Sequence, residues 1–248
     1  MNILSHIGRY FLMLGQAMKK PQKVSVYRSL MMREIDVLGL NSLGIVSVIS
    51  VFVGAVVALQ TAFNMESPIF PRYLIGLAVR DSVILEFSPT MISLILAGKV
   101  GSNIASGIGT MRVTEQIDAL EVMGVNSTSY LVLPKIVALV LVNPMLITVS
   151  MALCIIGGWI AGEVSGFCTT EDYIYGIQYM FRPFNIAYAL IKTVVFAFVI
   201  ATVSAYQGYY STGGSLEVGN ASTRAVVYSS TVIIFLNYVL TQLLLTGI

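Results

Sequence analysis

Long apolar stretches without a charged residue dominate the pattern of this sequence. Three of them cover 37–65, 136–162 and 225–248, and a fourth apolar stretch, 184–206, contains one lysine, Lys192. About 20 mainly apolar residues are enough for a helix to cross the hydrocarbon core of a bilayer. The pattern therefore predicts four membrane-spanning helices: near 43–63, within 136–162, from about 184 to 206, and from 225 to the end.

A fifth span is predicted between the first two of these stretches, and it is unusual. It begins near Val79, contains Glu86 and Pro89, and is free of charge only over 87–98. Because about 20 residues are needed to span, this helix must continue through Lys99. The fold class is therefore an all-α integral membrane protein with five transmembrane helices.

Small residues recur at every fourth position in two of the predicted spans. Spacing of four places side chains on one helical face, where small residues allow two backbones to approach closely. These positions are predicted to serve helix packing: Ala97, Gly101, Ala105 and Gly109 in the second span, and Gly158, Gly162 and Gly166 at the end of the span within 136–162.

A short amphipathic helix is predicted over 114–123, between the second and third spans, with Gly124 as its stop. Its apolar residues are Ile117, Leu120 and Met123, and its polar ones are Glu115, Gln116, Asp118 and Glu121. It is either a solvated connector or a helix that docks into a soluble partner. An exposed apolar stripe favours docking, and the acidic residues disfavour the negatively charged inner leaflet as the docking surface.

The N-terminal region, 1–42, precedes the five-helix transmembrane region, 43–248. The two regions together form a single domain. Residues 2–20 carry apolar side chains at helical spacing and are followed by Lys19, Lys20 and Lys23. This pattern favours an interfacial amphipathic helix over an ordinary surface helix of a bundle. A second amphipathic stretch, 26–40, leads into the first span.

Basic residues are distributed unequally between the two sides of the predicted bundle. Residues 1–42 hold six of them, and the loops after spans 2 and 4 add Lys99, Arg112, Lys135 and Arg224. The opposite side has Arg72, Arg80 and Arg182. The positive-inside rule therefore places the N-terminus and the 114–123 helix in the cytoplasm, and the C-terminus on the outer side.

Composition supports a membrane class and excludes most chemistry. The chain is 56% hydrophobic and 10% charged, whereas soluble domains are usually about 25% charged. It has one histidine, His6, and two cysteines, Cys154 and Cys168, so neither a metal site nor a disulfide framework is indicated. The Gly98–Lys99 pair lacks the surrounding Walker A residues. We expect no catalytic residue and no cofactor in this chain.

Glu86 and Lys192 are the candidate functional residues within the spans. An ionisable group at mid-helix costs roughly 2.5–3.5 kcal/mol on insertion scales, so its presence needs an explanation. The two side chains either pair across the bundle or line a cavity for a polar headgroup. The structural alternatives are a Lys192 stem that reaches the interface and a Glu86 carboxylate bonded to nearby backbone.

The pattern of spans and charges leaves three classes of membrane protein to consider besides one that is driven by a soluble partner. A secondary transporter should show internal repeats and paired broken helices, and no repeat is evident. A membrane-embedded enzyme needs a nucleophile with a base, or clustered metal ligands. A structural membrane anchor for a partner complex is also compatible with the sequence, and an activity measurement would exclude it.

Several motifs resemble the MlaE/YrbE family of permeases, the membrane subunits of MCE-associated ABC lipid transporters. They are Glu86 with Pro89, then AGKVGS at 97–102, GTMRVTEQIDALEVMG at 109–124, LIKTVVF around Lys192, and STRAVVYSS around Arg224. The resemblance covers nearly the whole chain. Four positions differ from the usual family residues: Leu85, Ser88, Lys99 and Gly107.

The resemblance implies a function, partners and a location. It implies a homodimeric permease that binds two copies of a cytoplasmic ATPase, which holds the ATP, with 114–123 as the coupling helix. It implies an MCE-domain protein on the periplasmic side, and phospholipid as the substrate, moved between the inner and outer membranes. The location is then the inner membrane of a double-membraned bacterium, and the N-terminal helix resembles the elbow helix of lipid exporters.

Overall fold

The computed structural model describes residues 3–18, 24–65 and 70–245, and these residues form helices without any strand. The first long helix combines Val24–Glu34, Ile35–Leu40 and Asn41–Asn64. The helices are α1 (Ile3–Ala17), α2 (from Val24 to Asn64), α3 (Tyr73–Val113), α4 (Gln116–Val122), α5 (Ser127–Ser165), α6 (Thr170–Gln178), α7 (Phe184–Tyr209) and α8 (Ser215–Leu245).

Within the described residues, five helices are long and apolar enough to cross a membrane: α2, α3, α5, α7 and α8. The predicted all-α class and the five spans are confirmed. The helices α3 and α8 begin earlier than predicted, at Tyr73 and Ser215 instead of near 79 and 225. For α8 the difference arises because absence of charge marks a membrane segment, whereas a helix continues through charged residues such as Glu217 and Arg224.

Three stretches of these helices are π-helical. They are Ile35–Leu40 in α2, and Val83–Met91 and Ala97–Gly101 in α3. Pro89 lies inside the second of them. Proline has no N–H to donate and its ring collides with the carbonyl four residues earlier, so a wider helical turn accommodates it. Glu86 belongs to the same π-helical segment.

The described helices form two compact units. The first unit comprises 1–42, 94–142 and 195–239. In it, the small-residue face of α3 meets α7 so closely that a Cβ on Gly208 would lie 2.5 Å from the Ala105 carbonyl oxygen. Helix α1 is attached to α7 through two hydrogen bonds, Tyr10 to Thr202 at 2.7 Å and His6 to Tyr206 at 2.8 Å.

The second unit comprises 43–93, 143–194 and 240–248. Helices α2 and α5 touch through their backbones here. A Cβ on Gly54 would lie 1.9 Å from the Cys154 carbonyl oxygen, and one on Gly157 would lie 2.2 Å from that of Val51. Helix α6 packs equally closely on α3, since a Cβ on Gly176 would lie 2.0 Å from the Tyr73 carbonyl oxygen. Glycine is therefore required at these crossings.

Two expectations concern parts of the chain that the structure does not test. The basic cluster Lys19, Lys20 and Lys23 lies outside the described residues. The division into an N-terminal region, 1–42, and a permease domain, 43–248, stays a prediction.

On α1 and directly after it, the exposed apolar side chains are those of Leu4, Ile7, Phe11, Leu12 and Met18. Met13 and Ala17 are buried.

Candidate functional site

Glu86 and Lys192 form an ion pair in the second unit. Glu86 lies in the π-helical segment of α3 and Lys192 lies on α7. The Lys192 Nζ is 2.8 Å from Glu86 Oε1. It also donates to the carbonyl oxygen of Leu85 at 3.2 Å. The structure thus brings together the two intramembrane charges that the sequence singled out.

Two further polar side chains complete this site. Tyr188 lies one turn before Lys192 on α7, and its hydroxyl accepts a hydrogen bond from Lys192 Nζ at 2.9 Å. Thr241 of α8 donates to Glu86 Oε1 at 3.1 Å and shares a 2.8 Å hydrogen bond with Tyr188. Sequence reasoning missed both residues. The spacing of four between Tyr188 and Lys192 was an available signal, whereas Thr241 is distant in sequence and offered none.

The site exposes a carboxylate and buries an ammonium. The Lys192 side chain is fully buried, whereas 42% of the Glu86 side chain is exposed. The ammonium also lies 4.7 Å from the centre of the Tyr188 ring, within range of a cation–π interaction. Complete burial excludes the alternative in which Lys192 reaches an aqueous interface with its amine.

Arg80 is a second buried cation of this unit. The sequence pattern marked it only as one of the basic residues on the side opposite the cytoplasm. Its side chain is 3% exposed and pairs with Asp81 at 2.8 Å. It donates to the carbonyl oxygens of Ile177 and Tyr179 at 2.7 and 2.8 Å. These carbonyls lie at the C-terminal end of α6, where a cation is favourable. Arg80 therefore fastens α6 to α3.

Helix α4, the predicted coupling helix, belongs to the first unit. It covers Gln116–Val122, and Glu115 precedes it in a left-handed conformation with φ 59°. Ile117 is fully buried, so it anchors the helix to its own chain. Leu120 is half-buried. The exposed apolar side chains are Val122, at 89%, and Met123, at 68%.

The acidic residues of α4 have different partners. Asp118 pairs with Arg112 at 2.6 Å, so its charge is compensated within the chain. Glu121 Oε1 accepts hydrogen bonds from Ser127 at 2.8 Å and from Tyr209 at 3.0 Å. No pattern in the sequence indicated that Ser127 and Tyr209 would meet Glu121.

The predicted packing residues are placed in both units. Ala97, Gly101, Ala105 and Gly109 are buried along α3, and a Cβ on Gly109 would lie 3.2 Å from Val218 of α8. Gly158 and Gly162 are buried on α5. A Cβ on Gly158 would lie 2.5 Å from the hydroxyl of Tyr173.

The four positions that differ from the usual family residues also have defined surroundings. Lys99 donates to the carbonyl oxygen of Asn41. Ser88 is buried and donates to the sulfur of Cys154 at 3.7 Å. Leu85 contributes its carbonyl to Lys192. The space around Gly107 is open, so a larger residue fits there.

Comparisons with known proteins describe what this chain is similar to. A family model described as "Permease MlaE" matches residues 31–243. A "Probable ABC transporter permease protein" of Rickettsia bellii is 34% identical over 258 aligned positions, covering 98% of each chain. One of Rickettsia typhi is 37% identical, covering 94% of this chain and 88% of the relative. The "Intermembrane phospholipid transport system permease protein MlaE" of Haemophilus influenzae is 28% identical, with 94% and 89% covered.

Proposed function

Because this chain belongs to the MlaE permease family, we propose that it is the membrane subunit of an ABC transporter that moves phospholipid between the inner and outer membranes. The observation that carries the substrate class is its similarity over 94% of its length to a relative named for phospholipid transport. The family match also confirms the resemblance that the motifs indicated. ATP hydrolysis belongs to a separate partner subunit in this proposal, and the permease itself does no covalent chemistry.

The lipid headgroup is proposed to contact the Glu86–Lys192 site. The half-exposed Glu86 carboxylate offers a charged acceptor, while Tyr188 and Thr241 offer hydroxyls beside it. The buried ammonium of Lys192 offsets the charge of the carboxylate within a membrane span, where a lone charge is costly.

Helix α4 is proposed to be the coupling helix that docks into the ATPase. Val122 and Met123 project from a short, acidic helix, and exposed apolar anchors of this kind suit a groove on a protein partner. Movement of α4 reaches α3 directly, because only two residues separate the end of α3 at Val113 from the start of α4 at Gln116.

The remaining assembly follows the family. We propose a homodimer in the inner membrane of a double-membraned bacterium, with the N-terminus and α4 in the cytoplasm and the C-terminus in the periplasm. A periplasmic MCE-domain protein exchanges lipid with the permease. Six basic residues in 1–42 support this orientation.

The test of the assembly is affinity purification of tagged protein from native membranes in mild detergent, with mass spectrometry of proteins and lipids. We expect an ABC ATPase, an MCE-domain protein and bound phospholipid in the eluate. A well-inserted protein that elutes without any nucleotide-binding partner would contradict the proposal and favour a secondary transporter or a structural anchor.

Transport by the purified complex in proteoliposomes tests the roles of individual residues. Glu86→Ala and Lys192→Ala should each lower ATP-dependent phospholipid transport without preventing membrane insertion, while Glu171→Ala on α6 serves as a control. Unchanged transport in both variants would remove the headgroup role.

The coupling role of α4 has its own variant. Leu120→Asp should uncouple ATP hydrolysis from transport while the spans assemble normally. Leu216→Asp provides a matched control, because Leu216 is an exposed leucine at the start of α8. Normal transport by the Leu120→Asp protein would contradict the role of α4.

A further inference from the structure

The carboxylate of Glu121 is held in a fixed position by hydroxyls from two other helices. Ser127 opens α5 and Tyr209 closes α7, and both donate to the same oxygen, Oε1. Ser127 Oγ and Tyr209 Oη also lie 2.8 Å from each other. Each hydroxyl has a single proton, so two hydrogen bonds at a time join the three groups, and when both hydroxyls donate to Glu121 they are neighbours that share one acceptor. A network of this kind restricts the rotamers of an otherwise mobile glutamate.

This network orients the carboxylate but leaves its charge in place. Hydroxyl donors are neutral, and the ion pairs between described residues do not include Glu121. Asp118, one turn earlier on the same helix, shows the contrast, because Arg112 compensates it at 2.6 Å. Glu121 thus presents an oriented negative charge that forms no ion pair with another residue in 3–18, 24–65 or 70–245.

An open cavity of about 390 Å³ lies beside this carboxylate. Ligand pockets in proteins span roughly 300–1,000 Å³, so the space is sufficient for a long side chain. Most of its lining residues have polar side chains, and they combine the end of α1 with the turn after α4. The lining residues are Gln16, Glu121, Gly124, Val125, Asn126, Ser127, Thr128 and Tyr209.

The cavity adjoins the apolar end of α4. Val122 and Met123 follow Glu121 directly and are among the most exposed apolar side chains of the first unit. Protein interfaces commonly combine such an apolar contact with a polar rim in which opposite charges meet. The charge that complements a lone, oriented carboxylate is an ammonium or a guanidinium.

We propose that Glu121 is the receptor for a lysine or arginine side chain of the ATPase partner, which enters this cavity when α4 docks. The proposal rests on the proposed function, because it needs that partner. Ser127 and Tyr209 are positioning residues that aim the carboxylate. Through them, a pull on Glu121 reaches the first residue of α5 and the last residue of α7, so the contact also links the partner to two spans.

The test measures how much ATPase the tagged permease retains from native membranes across a KCl series. Glu121→Gln keeps the shape and a hydrogen-bonding oxygen but removes the charge. We expect it to lower ATPase retention about fivefold at low salt, which corresponds to the binding free energy of one exposed charge pair. Retention should also depend less on the KCl concentration. Equal retention with an unchanged salt dependence would overturn the proposal.

A matched pair of tyrosine variants tests the positioning role. Tyr209→Phe removes the hydroxyl that donates to Glu121, whereas Tyr210→Phe is the same change one residue later, at a side chain with ring contacts to Tyr206 and Tyr209. We expect a roughly twofold loss of retention with Tyr209→Phe and no loss with Tyr210→Phe. Equal effects of the two variants would refute a specific role for Tyr209.

A charge-swap experiment separates a lost contact from a lost fold. Glu121→Lys should abolish retention, and a Lys→Glu or Arg→Glu change in the co-eluting ATPase should restore it at one position. Failure of every such swap, in a permease that melts at the wild-type temperature, would contradict the inference alone. If wild-type protein retains no ATPase at all, the proposed function fails together with the inference.

Discussion

Lys192 shows how a charged residue is accommodated within a membrane span. Its ammonium is fully buried and reaches four acceptors: Glu86, the Leu85 carbonyl, Tyr188 and Thr241. Glu86, in contrast, remains partly accessible. The two partners of this pair therefore depend on each other unequally, because only the carboxylate has access to solvent, and the ammonium has Glu86 as its counter-charge.

This asymmetry predicts the effect of neutralising each partner on the free energy of unfolding. Glu86→Gln leaves a buried ammonium without its counter-charge, which typically costs about 3–5 kcal/mol. Lys192→Met removes the buried charge and keeps an unbranched side chain, so we expect a smaller loss. Unfolding in a denaturing detergent series measures both.

The double variant provides the control for this prediction. Lys192→Met should recover part of the stability that Glu86→Gln loses, because it removes the uncompensated charge. A Lys192→Met protein that is less stable than the Glu86→Gln protein would show that the lysine stabilises the fold independently of the carboxylate.

Cys168 gives a pH-dependent prediction outside the spans. Burial raises the pKa of its thiol, and the nearby Asp172 carboxylate raises this pKa further, while Arg72 opposes both. Because the thiolate is the reactive form, a raised pKa lowers the thiolate fraction at neutral pH. In a Cys154→Ala background, maleimide labelling of Cys168 should be slow and should keep increasing with pH above about 8.5, the ordinary thiol value.

An exposed cysteine at a neighbouring position is the reference for this rate. Glu171→Cys in a protein without native cysteines should react faster, and its rate should level off at lower pH. Equal rates and equal pH profiles would contradict the burial and the raised pKa of the Cys168 thiol.

At the scale of helices, the sequence predicted which segments span but not which of them meet. The long apolar stretches located four of the spans, and the shortness of 87–98 correctly required the fifth, α3, to continue through Lys99. The contacts of the small-residue face with α7 and α8 depend on residues about one hundred positions away. A single sequence has no periodic pattern that identifies which distant helix a helical face will contact. The π-helical segments have no distinctive amino-acid composition, so the sequence could not predict them.

The crossing of α2 and α5 yields a prediction for two glycines of the same helix. A Cβ on Gly54 would lie 1.9 Å from a backbone oxygen of α5, whereas a Cβ on Gly44 meets nothing within 4 Å. Gly54→Ala should therefore force the helices apart and cost at least about 1–3 kcal/mol. Gly44→Ala should be neutral or stabilising by up to about 1 kcal/mol, because alanine favours a helix.

Thermal unfolding of both variants in the same detergent tests this comparison. The two proteins differ from the wild type by one methyl group each and in the same helix. Similar midpoints for the two would show that α2 and α5 do not cross at Gly54.

At the scale of the whole molecule, the motifs predicted the family and the family match confirms it. The site was predicted only in part. Glu86 and Lys192 were identified because charges in apolar segments are conspicuous, but Tyr188, Thr241, Ser127 and Tyr209 are ordinary residues whose role appears only through their neighbours. The orientation in the membrane depends on the distribution of basic residues and requires its own measurement.

Cysteine labelling from one side of the membrane tests the orientation. In a protein without native cysteines, Glu171→Cys on α6 should react with an impermeant maleimide in intact spheroplasts. Thr223→Cys, beside Arg224 on α8, should react only after permeabilisation, because the positive-inside rule places it in the cytoplasm. Both positions are exposed, so access to the reagent depends on the side of the membrane. The reverse pattern would place α4 in the periplasm, away from any cytoplasmic ATPase, and would overturn the coupling proposal together with the role of Glu121.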